Sequence, residues 1–207
     1  MTVWMQYFYS LGVIILMNNK KDNKVETIPE KEGYTAEKRT ISITGASFAA
    51  IVALAVFGFA GLIAMTMHWG EAFRGMGALL LAFFIGVVVH ELIHGLTWVW
   101  MTHSSFRHLR FGVMTGAVYC HIDVPMTKRQ YVVGALMPLL LLGIVPYVLS
   151  FFFGSLWLMT FGTLFISAAM GDVMIVWAIR KETPDTLVYD HPKEAGCLVY
   201  RRMTEST

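Results

Sequence analysis

The sequence predicts an all-α integral membrane protein of about four transmembrane helices, with a short re-entrant or β-hairpin segment between the second and third. Three observations predict it. The 207 residues are 56% hydrophobic and 14% charged, with a mean hydropathy of +0.59, whereas soluble domains carry about 25% charged residues. Four apolar segments, 46–67, 76–102, 131–153 and 156–178, are each long enough to cross a bilayer. Every lysine and arginine except Arg74 falls in one of three stretches, 18–45, 103–130 and 180–207. A four-span chain places all three on one side.

The elements follow in order. Residues 1–17 are apolar and aromatic but short of the roughly 20 residues a span needs. They have no basic n-region and no A-x-A-like cleavage site, so an interfacial helix or an upstream start is expected rather than a signal peptide. A charged arm, 18–45, leads into the first span. His68, Glu71 and Arg74 break the first span from the second. The stretch 103–130 carries Gly112 and Gly116 among β-branched and aromatic residues between Arg107 and Val124, which suits a hairpin or re-entrant strand pair. Only Gly154-Ser155 separates the last two spans, so they form a tight helical hairpin. The polar tail reads either as a solvated end or as a short strand or turn over the mouth of the domain. The expected division is therefore an N-terminal segment and arm (1–45), a membrane-embedded domain (46–180) and a tail (181–207).

Positive-inside bias makes the basic face cytoplasmic, with both termini inside. Cys120 and Cys197 are too few for a disulfide framework and are expected as free thiols. The net charge of +2 says nothing about nucleic acid, and the basic residues form no patch; the expected partner is the lipid bilayer, with no nucleic acid. Composition specifies no oligomeric state.

The chemistry-bearing motif is His90-Glu91-Leu92-Ile93-His94, in a run with no other charge from Gly75 to Met101. Histidines four residues apart share one helix face and can hold one zinc ion, and the glutamate between them can act as general base on a zinc-activated water. An ionised carboxylate in mid-membrane costs about 2.5–3.5 kcal/mol on insertion scales, so such residues are rare there and usually functional. The competing reading is a buried polar network in which Glu91 pairs with a histidine.

A catalytic zinc needs a third protein ligand. Asp172 is the only acidic residue of the last span. His90 and His94 lie about 14 and 18 residues into their span and Asp172 about 16 into a span of the same direction, so at about 1.5 Å per residue the three share a depth. The small residues Ala168, Ala169 and Gly171 let another helix come close. His121, beside Cys120, reads either as a metal or substrate-positioning residue or as an ordinary loop histidine. His68, His103 and His108 read as interfacial, and His191 lies in the tail.

These residues resemble a family. His90 to Gly95 (HELIHG), the run from Pro125 through Lys128-Arg129 to Gly134-Ala135-Leu136-Met137-Pro138, and Gly171-Asp172 together resemble the site-2 protease type of intramembrane zinc metalloproteases. They resemble still more closely the small bacterial zincin peptidases of the DUF3267 family. The likeness spans about residues 75–180. It implies that His90, His94 and Asp172 ligate zinc and that Glu91 is the catalytic base. It also implies supporting roles for Pro138 and Gly171, a membrane protein or peptide as substrate, and a bacterial cytoplasmic membrane as location. Met137 stands where site-2 proteases usually have glycine, Met170-Gly171-Asp172-Val173 departs from their Leu-Asp-Gly order, and no substrate-screening domain such as PDZ is appended. Two other classes compete. One is a non-catalytic, zinc-stabilised membrane adaptor, which has no need of Glu91. The other is a di-iron membrane hydroxylase, which needs about eight histidines with His-His pairs, against seven scattered ones here.

Overall fold

The computed structural model describes residues 33–64, 76–114, 117–191 and 196–202. The expectations for residues 1–32 and for His68, Glu71, Arg74 and Gly116 lie outside the described residues. The element order is β1 (Tyr34–Thr40), α1 (Ile43–Ala64), α2 (Met76–Thr102), β2 (Leu109–Met114), β3 (Ala117–Ile122), β4 (Met126–Thr127), α3 (Lys128–Pro138), a π-helical turn (Leu139–Ile144), α4 (Val145–Phe153), α5 (Leu156–Ala168), α6 (Met170–Ala178), β5 (Leu187–Asp190) and β6 (Gly196–Arg202).

Four helical stretches are long and apolar enough to cross a membrane: Thr44–Gly61, Ala78–Thr102, Lys128–Phe153 and Leu156–Ala178. They match the four segments expected and suggest a multi-pass membrane protein. The faces they turn outward are apolar; on α2 the exposed side chains include Leu81, Phe84, Ile85, Val88 and Trp100. Contiguous apolar surface of this extent suits lipid rather than water. The faces turned inward carry the polar residues. Leu156–Ala178 is 61% buried, against 22–33% for the other three, so α5 and α6 form the centre of the bundle. Small side chains let the helices close on it: Ala46, Ala50 and Ala53 are the buried stripe of α1.

The segment between the second and third spans is a β-hairpin, β2 against β3, in register from Leu109↔Ile122 to Met114↔Ala117. After it, Thr127 and Gln130 form a reciprocal capping box that starts α3, and Gln130 Nε2 donates to the Met101 carbonyl at the end of α2. Lys128 Nζ donates to the Arg180 and Glu182 carbonyls just beyond α6. The start of α3 is thereby tied to the ends of both α2 and α6.

The all-α expectation needs one correction. The arm, the tail and the short strand β4 before α3 build a four-stranded antiparallel sheet in the order β1-β6-β5-β4. The tail is no solvated end: Val188, Cys197 and Val199 are buried in one apolar cluster with Trp98, Ile122, Met126, Tyr131, Ile175 and Ile179. The membrane helices and the sheet therefore share a core. β1 escaped sequence reading because it is an edge strand of Tyr-Thr-Ala-Glu-Lys-Arg-Thr, without the apolar alternation of a half-buried strand. Its partner, in register Tyr34↔Arg202, lies at the other end of the chain.

Candidate metal centre

His90, Glu91 and His94 lie in the second half of α2, and all three are buried. On an α-helix, positions i and i+4 stack on one face, so the two imidazoles meet: His90 Nε2 and His94 Nε2 are 3.1 Å apart. Asp172, in the first turn of α6, brings Oδ2 to 3.2 Å from His90 Nε2 and 3.6 Å from His94 Nε2. Among the described residues this is the one group of three or more such side chains placed to hold a metal ion. The helices expected to carry the ligands bring them together.

The donor set fits zinc. A tetrahedral ion with ligand bonds near 2.0–2.1 Å sets its ligand atoms about 3.3 Å apart, and the three separations here bracket that edge length. The His94 tautomer fits too. His94 Nδ1–H donates to the Gly134 carbonyl at 2.8 Å, which leaves the Nε2 lone pair directed at the other two donor atoms.

That carbonyl is available for a reason. In a regular helix it would accept from the N–H four residues on, but that residue is Pro138, which has none. The helix passes into the π turn there, and the imidazole takes the vacant acceptor. Gly134 also has to be glycine, because a methyl group there would overlap the Trp98 indole ring. Pro138 thus bears on His94 through the backbone and does not line the cavity beside it. Gly171 is buried beside Asp172 and likewise does not line it.

Glu91 points to the hairpin. Its Oε2 accepts from the Cys120 N–H at 3.2 Å. The hairpin reaches α2 because Gly95, the last residue of HELIHG, has no side chain: a Cβ there would lie 2.6 Å from Cys120 Sγ. Burial, with the Glu91 and Asp190 carboxylates beside it, pushes the Cys120 thiol up to about 12; burial does the same for Cys197. Both are free, buried thiols and neutral near pH 7.

A cavity large enough for a water molecule opens beside the cluster, lined by His94, Asp172, Cys120, Tyr131, Asp190 and Gly196 among others. His121 is not at the metal cluster. It is buried with Nδ1 at 3.1 Å from Asp190 Oδ2. Asp190, Tyr131 and Trp98 were not singled out from sequence, and Gly134 was noted only as part of a motif. Asp190 had a signal: two residues after Val188, it shares that residue's inward face in β5. His108 lies outside this group, half exposed and paired with Asp123.

No curated protein and no solved structure matches the chain. A family model does, over residues 83–187, about half of the sequence and all of the cluster. That family, DUF3267, is described as a putative zincin peptidase, a description that implies zinc. On that match the chain belongs to the DUF3267 family.

Proposed function

We propose that this protein is a zinc-dependent metallopeptidase that cleaves peptide bonds at or within the membrane, with His90, His94 and Asp172 as ligands and Glu91 as general base. The observation that carries the reading is the convergence of two histidines and an aspartate from separate apolar helices, with a buried glutamate beside them. Zinc in that cluster supplies Lewis acidity toward a peptide carbonyl and toward water. The protein's own groups do the rest. Cys120 N–H orients the Glu91 carboxylate, which takes a proton from the attacking water and delivers it to the leaving nitrogen as the C–O bond forms and the C–N bond breaks. Asp172 and the two histidines hold no transferable proton in this role, because each is committed as a ligand.

Water and substrate enter from the end of the bundle that bears the hairpin and the sheet, which the basic residues assign to the cytoplasm. Both termini lie on that side, and the membrane is the bacterial cytoplasmic one. Among the described residues β3 is paired in a ladder with β2 alone. An extended substrate segment would pair by strand addition along its other edge, where Cys120 meets Glu91. A helix hides its peptide bonds, and extension exposes them.

Glu91→Gln separates this reading from that of a zinc-stabilised adaptor. The variant should retain one zinc per chain, measured by metal analysis. It should also lose the fragments seen in a proteomic comparison of membranes carrying wild-type or variant protein. Identical fragments from both would sink the mechanism, and their absence from both would favour the adaptor. One zinc rather than two irons would set aside the hydroxylase.

A further inference from the structure

A second polar cluster borders the cavity. Asp190 at the end of β5, His121 in β3 and Tyr131 in α3 are all buried. His121 Nδ1–H donates to Asp190 Oδ2 at 3.1 Å, and the Tyr131 hydroxyl donates to Asp190 Oδ1 at 3.3 Å. Each carboxylate oxygen therefore has a donor, and the carboxylate lines the same cavity as His94 and Asp172.

Two paths run from Asp190 to the metal centre. Through His121 it holds β3, whose preceding residue, Cys120, donates its N–H to Glu91. Through Tyr131 it holds a column of near-parallel rings. Tyr131 stacks on Trp98 with centroids 5.6 Å apart and planes 18° apart, and Trp98 stacks on His94 at 5.3 Å and 17°. Trp98 Nε1–H also donates to the Tyr131 carbonyl at 3.2 Å. Asp190 is the point where both paths join.

We propose that Asp190 is a positioning residue of the centre, acting through His121 on the strand that orients Glu91 and through Tyr131 and Trp98 on the ligand His94. The tail is then a working part of the site. The inference rests on the peptidase reading for its effect on rate, but not for its effect on β3.

Asp190→Asn offers one acceptor oxygen where two donors need one each. In the full chain in detergent micelles it should retain one zinc. It should raise amide exchange across 117–122 about tenfold while 156–178 stays as protected as in wild type. With fluorescein-labelled casein as the probe substrate, kcat should fall about tenfold and KM should stay within about twofold. His121→Leu should reproduce both effects, whereas His121→Asn, whose amide nitrogen can stand in for Nδ1, should restore most of the protection and rate. Unchanged exchange in Asp190→Asn would overturn the proposal. So would exchange raised equally in 156–178, which marks a merely structural role, or equal behaviour of the two His121 variants. If wild type leaves casein uncut, the peptidase reading fails that assay and the exchange comparison still decides the role of Asp190.

Discussion

The helical wall of the cavity and its sheet wall hold their polar groups in different ways. On the helical side, His90, Glu91 and His94 lie within five consecutive positions of one helix, and Asp172 faces them from another. Around them the helices are apolar, so these groups have one another, a backbone carbonyl and a backbone N–H to offset the cost of burial, and a metal ion would add to these. On the sheet side, Asp190 is satisfied by two protein donors from two other elements. The first wall gathers side chains that could hold a metal ion. The second is complete in itself and constrains the first. A site of this kind divides its labour: chemistry from a short local motif, rigidity from long-range pairing.

Removing the sheet wall is the harshest way to break that division. Truncation after Lys181 deletes β5 and β6, and with them Asp190 and the buried Val188, Leu198 and Val199. Burial of those three alone contributes about 5–9 kcal/mol, against a total stability of about 5–15 kcal/mol for a typical protein. The truncated chain should fail to accumulate as a monodisperse species in detergent. A well-folded truncation with raised activity would mean that the tail is a removable lid over the mouth, the opposite of a shared core.

A milder perturbation acts on the helical wall alone. Pro138→Ala restores an N–H four residues after Gly134, and that N–H competes with His94 Nδ1 for the Gly134 carbonyl. Helix α3 gains a hydrogen bond while the ligand loses its anchor. Zinc affinity, measured by competition with a chelator, should fall about tenfold, with thermal stability of the zinc-free protein equal to or above wild type. Wild-type affinity would show that the proline's missing donor contributes nothing to the centre.

The same contrast explains what could be read from the chain. The spans were legible because each is a continuous apolar run, and HELIH was legible because its ligands repeat at the helical period within one run. Asp172 was legible because only one acidic residue lies in the last span. The hairpin announced itself through glycines among β-formers. The sheet did not. β1 is a charged edge strand, and nothing local in Tyr34–Thr40 points to Arg202 as the partner of Tyr34. His121 drew notice as a histidine, but its partner Asp190 is 69 residues away. The Gly134-to-Pro138 run was visible as a motif, while its meaning, a carbonyl freed for His94, needed three-dimensional proximity.

The smallest effect lies at the joint between the two walls. Glu182, just past α6, receives a bidentate contact from Arg201 of β6, Nη2 at 2.6 Å and Nε at 3.3 Å, and Arg39 of β1 approaches to 3.8 Å. The Arg201 hydrogen bonds, aided by the nearby positive charges, hold the Glu182 carboxyl below the usual glutamate range. A carboxyl whose pKa is lower folded than unfolded stabilises the fold above its unfolded value, about 4.3. That contribution disappears as pH falls through the folded value. Wild type should therefore unfold at a slightly higher temperature than Glu182→Gln at pH 7, and the two should converge in acid. The gap should shrink in high salt, because Arg201 is exposed and screened. A gap that survives both acid and salt would mean that the side chain's shape, and not its charge, joins the sheet to the helices.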